Sequence, residues 1–284
     1  MAAYVLYGSE VSLFSGKARA YLRWRGADFE ERPATREVYQ NVILPKVGWP
    51  VVPVVEMAGG AVVQDTTDII ETVEAQTPDG PRAIPDGPVQ GVVSRLLDLF
   101  ADEWLVIPAM HYRWNYNEDW TYGEFGRMSA PDAPPAEQYA IGKKNGERFK
   151  GAVPMLGVSE DTIPGVEAAY EAFLKDMTEH LRHHAYVLGG RASLGDFALN
   201  GPLYAHLLRG FGRVEFETGG FEGECAARSF PLWRLQAVTD AIDAMDDDAK
   251  ARLADLLDRV GGSPLMDFRL PARLARRDCR LKLA

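Results

Sequence analysis

The chain is poor in the residues that hold metals or staple small folds. Its 284 residues include only two cysteines, Cys225 and Cys279, far apart and in no metal-ligand spacing. Free thiols in a reducing, cytoplasmic setting are the expectation. Histidine is also sparse, with five residues. His180 and His184 fall at i, i+4, but they close a helix, where histidine complements the dipole, and no His-Glu-x-x-His pattern accompanies them. No metal is expected. Positive charge is outnumbered: 31 Lys and Arg against 41 Asp and Glu leave a net charge of −10, which argues against nucleic-acid partners, since these need a basic surface. No apolar run approaches the ~18 residues of a membrane span. The start, "MAAYVLYGSE", lacks the basic region and long apolar core of a signal peptide, so neither a membrane nor export is expected. Phosphate-loop, dinucleotide and Gly-x-Ser-x-Gly signatures are missing as well, which removes the commonest nucleotide-binding and hydrolase readings.

What is there is a globular composition, 46% hydrophobic and 25% charged, at a length comfortable for two domains. "AYVLY" (3–7) reads as a strand, and "GKARAYLRWRG" as a helix capped by Ser12 or Ser15 and ending at Gly26. "DFEERPA" (28–34) is a second strand, 35–45 is irregular or helical, and "WPVVPVVEM" (49–57) with "AVVQ" (61–64) reads as a hairpin turned at Gly59–Gly60. "DTTDIIETVEAQ" (65–76) is a helix capped by Asp65 or Thr66. The order β-α-β-α-β-β-α predicts a small α/β domain over residues 1–77. The Pro- and Gly-rich 78–90 reads as a linker, and 91–284 as an all-helical domain with helical spacing over 92–110, 136–153, 165–184, 194–210, 232–245 and 248–260. Residues 115–135, mixed aromatic, acidic and Pro-rich, read as a long loop.

Three local patterns sit on this plan: "LYGSEVSLFSGKARAYL" (6–22), where a strand ends in a serine-rich turn that opens a helix; "VVPVV" (51–55); and "QDTTDI" (64–69), a polar helix start. A fourth, "LGGRASLGDFAL" (188–199), has Ser193 and Asp196 at capping-box spacing. In this order they resemble the cytosolic glutathione transferases. The resemblance covers most of the chain and implies a thioredoxin-like α/β N-terminal domain followed by an all-α C-terminal domain.

It further implies glutathione as co-substrate, a small-molecule electrophile as the other partner, homodimers, and a role in detoxification. Ser12 falls at the catalytic position, with Leu13 where that turn has proline. Ser15 falls at the second-cysteine position of redox members, so dithiol chemistry is excluded there. Tyr7, at the end of the first strand, is a rival sulfur donor. Pro53 is the expected cis-proline, exposing the Val52 backbone to pair with an extended peptide. Asp65 and Thr66 stand where the family holds the γ-glutamyl end, at a helix N-terminus suited to a carboxylate.

In the helical domain, Trp104, His111, Tyr112, Arg113 and Trp114 are candidates for the electrophile pocket, Arg113 suiting a carboxylate; an interhelical aromatic cluster is the equal alternative. Tyr204, His206 and Arg209 are read chiefly as packing residues, and Lys17 and Arg19 as solvated charges. The basic tail, 267–284, is read as partly docked on the acidic body. Conjugation of glutathione is the favoured reading. Another glutathione-dependent reaction (isomerisation, dehalogenation or ether cleavage) and a non-catalytic binding or scaffold role are the alternatives.

Overall fold

In the computed structural model, residues 3–204 and 232–273 are described. His206, Arg209, Cys225, Cys279 and the tail beyond 273 lie outside them. The first strand, β1 (Tyr4–Gly8), leads into α1 (Leu13–Arg25). Ser12 caps this helix, its hydroxyl oxygen accepting from the Ser15 N–H at 3.2 Å, and Gly26 ends it in the left-handed region at φ 70°. β2 (Phe29–Pro33) follows, then a continuous helical run of α2 (Arg36–Val38), a π turn (Tyr39–Ile43) and α3 (Leu44–Val47). β3 (Val54–Met57), β4 (Val62–Gln64) and α4 (Thr66–Gln76) complete the α/β part. The sheet runs β2-β1-β3-β4, with β1 parallel to β2 and antiparallel to β3, and β3 antiparallel to β4.

Alternation along β1 sorts its side chains to two faces. Leu6 packs with Ala18, Tyr21 and Leu22 of α1 and Ile69, Ile70 and Val73 of α4. Tyr7 faces the other way, into Ile43, Val54 and the α2–α3 run. Each fully buried Leu or Ile here contributes about 1.5–3 kcal/mol.

The helical part begins at α5 (Pro88–Leu99), which continues through a π turn (Phe100–Trp104) into α6 (Val106–Tyr116). Next comes a helical hairpin, α7 (Glu118–Ser129) and α8 (Pro135–Lys150). The long loop expected over 115–135 is therefore a helix, and the true connection is only "APDAP" at 130–134. Two glycines serve the close approach of these helices. A Cβ on Gly126 would stand 1.7 Å from the Gln138 carbonyl oxygen, and one on Gly142 would stand 1.8 Å from that of Tyr122.

The chain continues with α9 (Ile163–His183) and α10 (Leu194–Pro202). The expected capping box opens α10: the Asp196 carboxylate accepts from the Ser193 N–H at 2.8 Å and also from the Val187 N–H at 2.9 Å. α11 (Leu232–Asp243) and α12 (Asp247–Asp258) cover α5 through Val238, Ile242, Ala249 and Leu253 around Val92. Beyond them, Arg269 pairs with Asp243 and Arg273 with Asp240 at 2.8 Å, so the described part of the tail docks on α11. Among the described residues, no helix is long and apolar enough to cross a membrane.

Candidate active site

The turn from β1 to α1 is held from several sides. Ser12 N–H donates to the Ser9 carbonyl at 3.2 Å, and Ser9 N–H donates to Ser15 Oγ at 3.1 Å. Arg113 reaches from α6 and donates through Nη1 to the Val11 carbonyl at 2.8 Å. On the far side, the Ser9 hydroxyl donates to Met128 Sδ at 3.2 Å, and Arg127 pairs with Glu10 at 3.1 Å, both from α7. Gly201 of α10 closes the base, where a Cβ would stand 2.6 Å from the Leu13 carbonyl oxygen.

Within this frame the three candidate hydroxyls separate. Ser15 is fully buried and accepts from Ser9 N–H, which makes it a turn residue. Tyr7 is buried and donates to Glu56 at 3.1 Å; burial and the Glu56 carboxylate push its phenol above the ordinary value. It lies on the α2–α3 face of the sheet, away from α1. Ser12 is half-buried and accepts from Ser15 N–H, while its own hydrogen is committed to no acceptor among the described residues. A serine hydroxyl has one donor and two acceptor positions, so capping and donation to a ligand are compatible.

The Val52–Pro53 peptide bond is cis, as expected. Asp65 caps α4 through the Thr67 N–H at 2.9 Å with φ 80° and ψ 128°, a left-handed backbone that costs an aspartate on the order of 1–3 kcal/mol. Thr66, at the first helical position, is 2% exposed, and its Oγ1 has no hydrogen-bond partner among the described residues. A buried hydroxyl left in this state costs about 1–3 kcal/mol unless a ligand or water satisfies it.

Behind this helix start lies a charge cluster that the sequence reading missed. Lys17, expected to be solvated, is fully buried and pairs with Asp98 at 2.5 Å and Asp102 at 2.7 Å. Arg234 of α11 pairs with Asp102 at 2.5 Å and reaches Asp98 at 3.7 Å and Asp65 at 3.6 Å. The Thr67 hydroxyl donates to Asp98 at 3.3 Å. Burial works against the Lys17 charge, but Asp102 and Asp98 outweigh it and hold the ammonium above its ordinary value. Burial likewise opposes the Asp102 charge, and Lys17 with Arg234 overcomes it and holds that carboxyl low. The signal was present in the sequence as Asp98 and Asp102 at i, i+4 within a segment rich in apolar residues. Arg19, also expected to be solvated, is buried against Glu31.

The acceptor-pocket candidates are largely buried between the helices. Arg113 clamps the turn, its pKa pulled down to about 9 by burial. His111 is fully buried, with one ring nitrogen 2.8 Å from Glu167 and the other 2.8 Å from the Asn115 amide. Tyr112 packs between Tyr116 and Tyr170, and Trp114 against Tyr122 and Phe125. Trp104, half-buried, stacks on Phe100 at 5.2 Å. These residues take part in the interhelical aromatic cluster weighed as the alternative, while His111 and Trp114 also line a cavity of about 800 Å³ with Asn115, Tyr116 and Trp120.

A parallel-antiparallel four-stranded sheet with a cis-proline before β3, followed by a helical remainder, defines a thioredoxin-like domain joined to an all-α domain. Residues 6–82 match the family model for the glutathione S-transferase N-terminal domain. The match covers the α/β part of the chain and shows a glutathione S-transferase N-terminal domain there. No curated protein matches it. Three solved structures are similar to it. A glutathione S-transferase from Rhodospirillum rubrum F11 has 17% identity over 97% of this chain and 98% of that one, with a TM-score of 0.45. The beta-etherase LigF from Sphingobium sp. strain SYK-6 has 18% identity over 93% and 97%, with a TM-score of 0.45. A glutathione S-transferase from Methylobacillus flagellatus KT with GSH bound has 17% identity over 72% and 84%, with a TM-score of 0.44.

Proposed function

We propose that the protein binds glutathione across Val52–Pro53, with its γ-glutamyl end at Asp65 and Thr66, and conjugates it to a small electrophile. The observation that carries this reading is the buried Thr66 hydroxyl at the start of α4, which has no hydrogen-bond partner among the described residues. It offers a donor where the helix also presents N–H groups and partial positive charge, which together suit the ligand's α-carboxylate. Asp65 holds its carboxylate at the same point, with its side chain 21% exposed, and suits the ligand's ammonium group.

In the proposed reaction Ser12 donates its free hydrogen to the sulfur at the start of α1. An ordinary cysteine thiol titrates near ~8.5, and a hydrogen bond together with a helix N-terminus lowers that value. The thiolate attacks the electrophilic carbon, a C–S bond forms, and the leaving group departs with the bonding pair or the acceptor takes up a proton. Positioning both reactants supplies the rest of the rate. Assembly as a homodimer is part of the same reading, and sedimentation velocity tests it.

The test is calorimetric titration of glutathione with thiolate absorbance followed against pH. Glutathione is expected to bind with a thiol pKa below that of the free peptide, and Ser12→Ala is expected to raise it again. Binding without any pKa change in Ser12→Ala overturns the role of Ser12. One observation favours a second reading, a binding or scaffold protein without turnover: the Asp65 carboxylate already has Arg234 within 3.6 Å. Absence of glutathione binding by an intact protein selects it.

A further inference from the structure

We infer that a second ligand site, for a small organic acid, lies on the outer flank of α1, apart from the groove proposed for glutathione. A cavity of about 720 Å³ opens there between α1, the β2 edge, the end of α7 and the end of α10. None of Ser12, Val52, Pro53, Asp65 or Thr66 lines it.

Its electrostatics select the sign of the ligand. Among the described residues two carboxylates line it, and both are already paired. Glu31 accepts from Arg19 Nε at 2.7 and 2.9 Å and from Nη2 at 2.5 Å, while Glu10 pairs with Arg127 at 3.1 Å across the mouth. The cations are not used up. Arg19 is 8% exposed and fixed by Glu31, and its Nη1 makes no hydrogen bond among the described residues. Arg23, one turn further along α1, is exposed and forms no ion pair among the described residues. Like charges at i, i+4 repel on a helix, and an anion lying between them relieves that repulsion. A guanidinium held in place by one carboxylate offers its remaining N–H groups in a fixed direction, which suits a second carboxylate or other oxyanion.

The rest of the wall selects the body of the ligand. Ala20, Pro33, Met128 and Pro131 give it apolar surface, and the volume suits a molecule larger than a bare ion. An acid group between Arg19 and Arg23 with a compact apolar body fits both halves.

Calorimetry with 3-phenylpropanoate, 3-phenylpropan-1-ol and inorganic phosphate tests this, with circular dichroism as the check on folding. The carboxylate is expected to bind wild type, the alcohol and phosphate are expected to bind at least ten-fold more weakly, and Arg23→Glu is expected to weaken the carboxylate at least ten-fold. Arg23 is an exposed side chain, so the variant keeps its fold. An unchanged affinity in folded Arg23→Glu overturns the site, as does no binding to wild type. Phosphate binding as tightly as the carboxylate overturns the apolar half. Displacement by glutathione also overturns the assignment, since it places the acid in the other groove. Failure of glutathione to bind affects only the proposed conjugation.

Discussion

Serine recurs three times in the turn after β1, and the three hydroxyls do different work. Ser9 donates to a thioether, Ser15 accepts inside the turn, and Ser12 caps the helix while keeping a hydrogen to give. The capping rule is local, so the sequence narrowed the cap to Ser12 or Ser15, and the structure has Ser12 there. The sequence did not separate Ser12 from Tyr7, because that distinction depends on which sheet face meets α1 and on the Glu56 partner 49 residues away. Thr66 gives the sharpest prediction at this scale. Thr66→Val keeps the shape and removes only an oxygen that has no partner, so folding stability is expected to hold or rise slightly. If that hydroxyl serves the ligand, glutathione affinity falls about five- to ten-fold, on the order of 1 kcal/mol. Thermal unfolding and calorimetry on the same variant separate the two effects.

At the scale of elements, α7 and α8 show how packing overrides local signals. The aromatic, acidic and Pro-rich texture of 115–135 gave a loop reading. Gly126 and Gly142 instead allow the backbones of α7 and α8 to touch. Gly126→Ala is therefore expected to destabilise the protein by about 1–3 kcal/mol, although alanine is the better helix former, because the hairpin must part to admit the methyl group. Chemical denaturation measures it, and a gain in stability refutes the close-approach argument. Strands and caps were legible because each is written in a few adjacent residues: Gly26 ends α1 and Ser193 with Asp196 opens α10 as read. Lys17 was not legible, since a lysine in an amphipathic helix looks solvated until its partners on α5 are known. The turn contact of Arg113 was not legible for a similar reason. Its residue type suited a substrate, but its position on α6 brings it to the Val11 carbonyl.

For the whole molecule, the decisive contacts are ionic and lie between the two halves. Lys17 comes from α1, Asp98 and Asp102 from the α5 segment, Arg234 from α11, and Asp65 and Thr67 from the start of α4. The four deeply buried members carry balanced charge, so removing one leaves an uncompensated charge in a dry interior. Lys17→Met is expected to cost about 3–5 kcal/mol, and adding Asp98→Leu to recover part of that loss, because an apolar pair of similar volume is better tolerated than a broken ionic one. The cluster also sets a direction for acid stability. Asp102 is held low by Lys17 and Arg234, so its folded-state pKa lies below the unfolded value of about 3.9. Its contribution is full above the unfolded pKa and is lost as pH falls through the lowered folded value. Asp102→Asn should thus be less stable than wild type at neutral pH, with the difference narrowing below about pH 4. Urea titrations of both proteins across the acid range check this, and a gap that stays constant with pH would show that Asp102 does not carry the linkage.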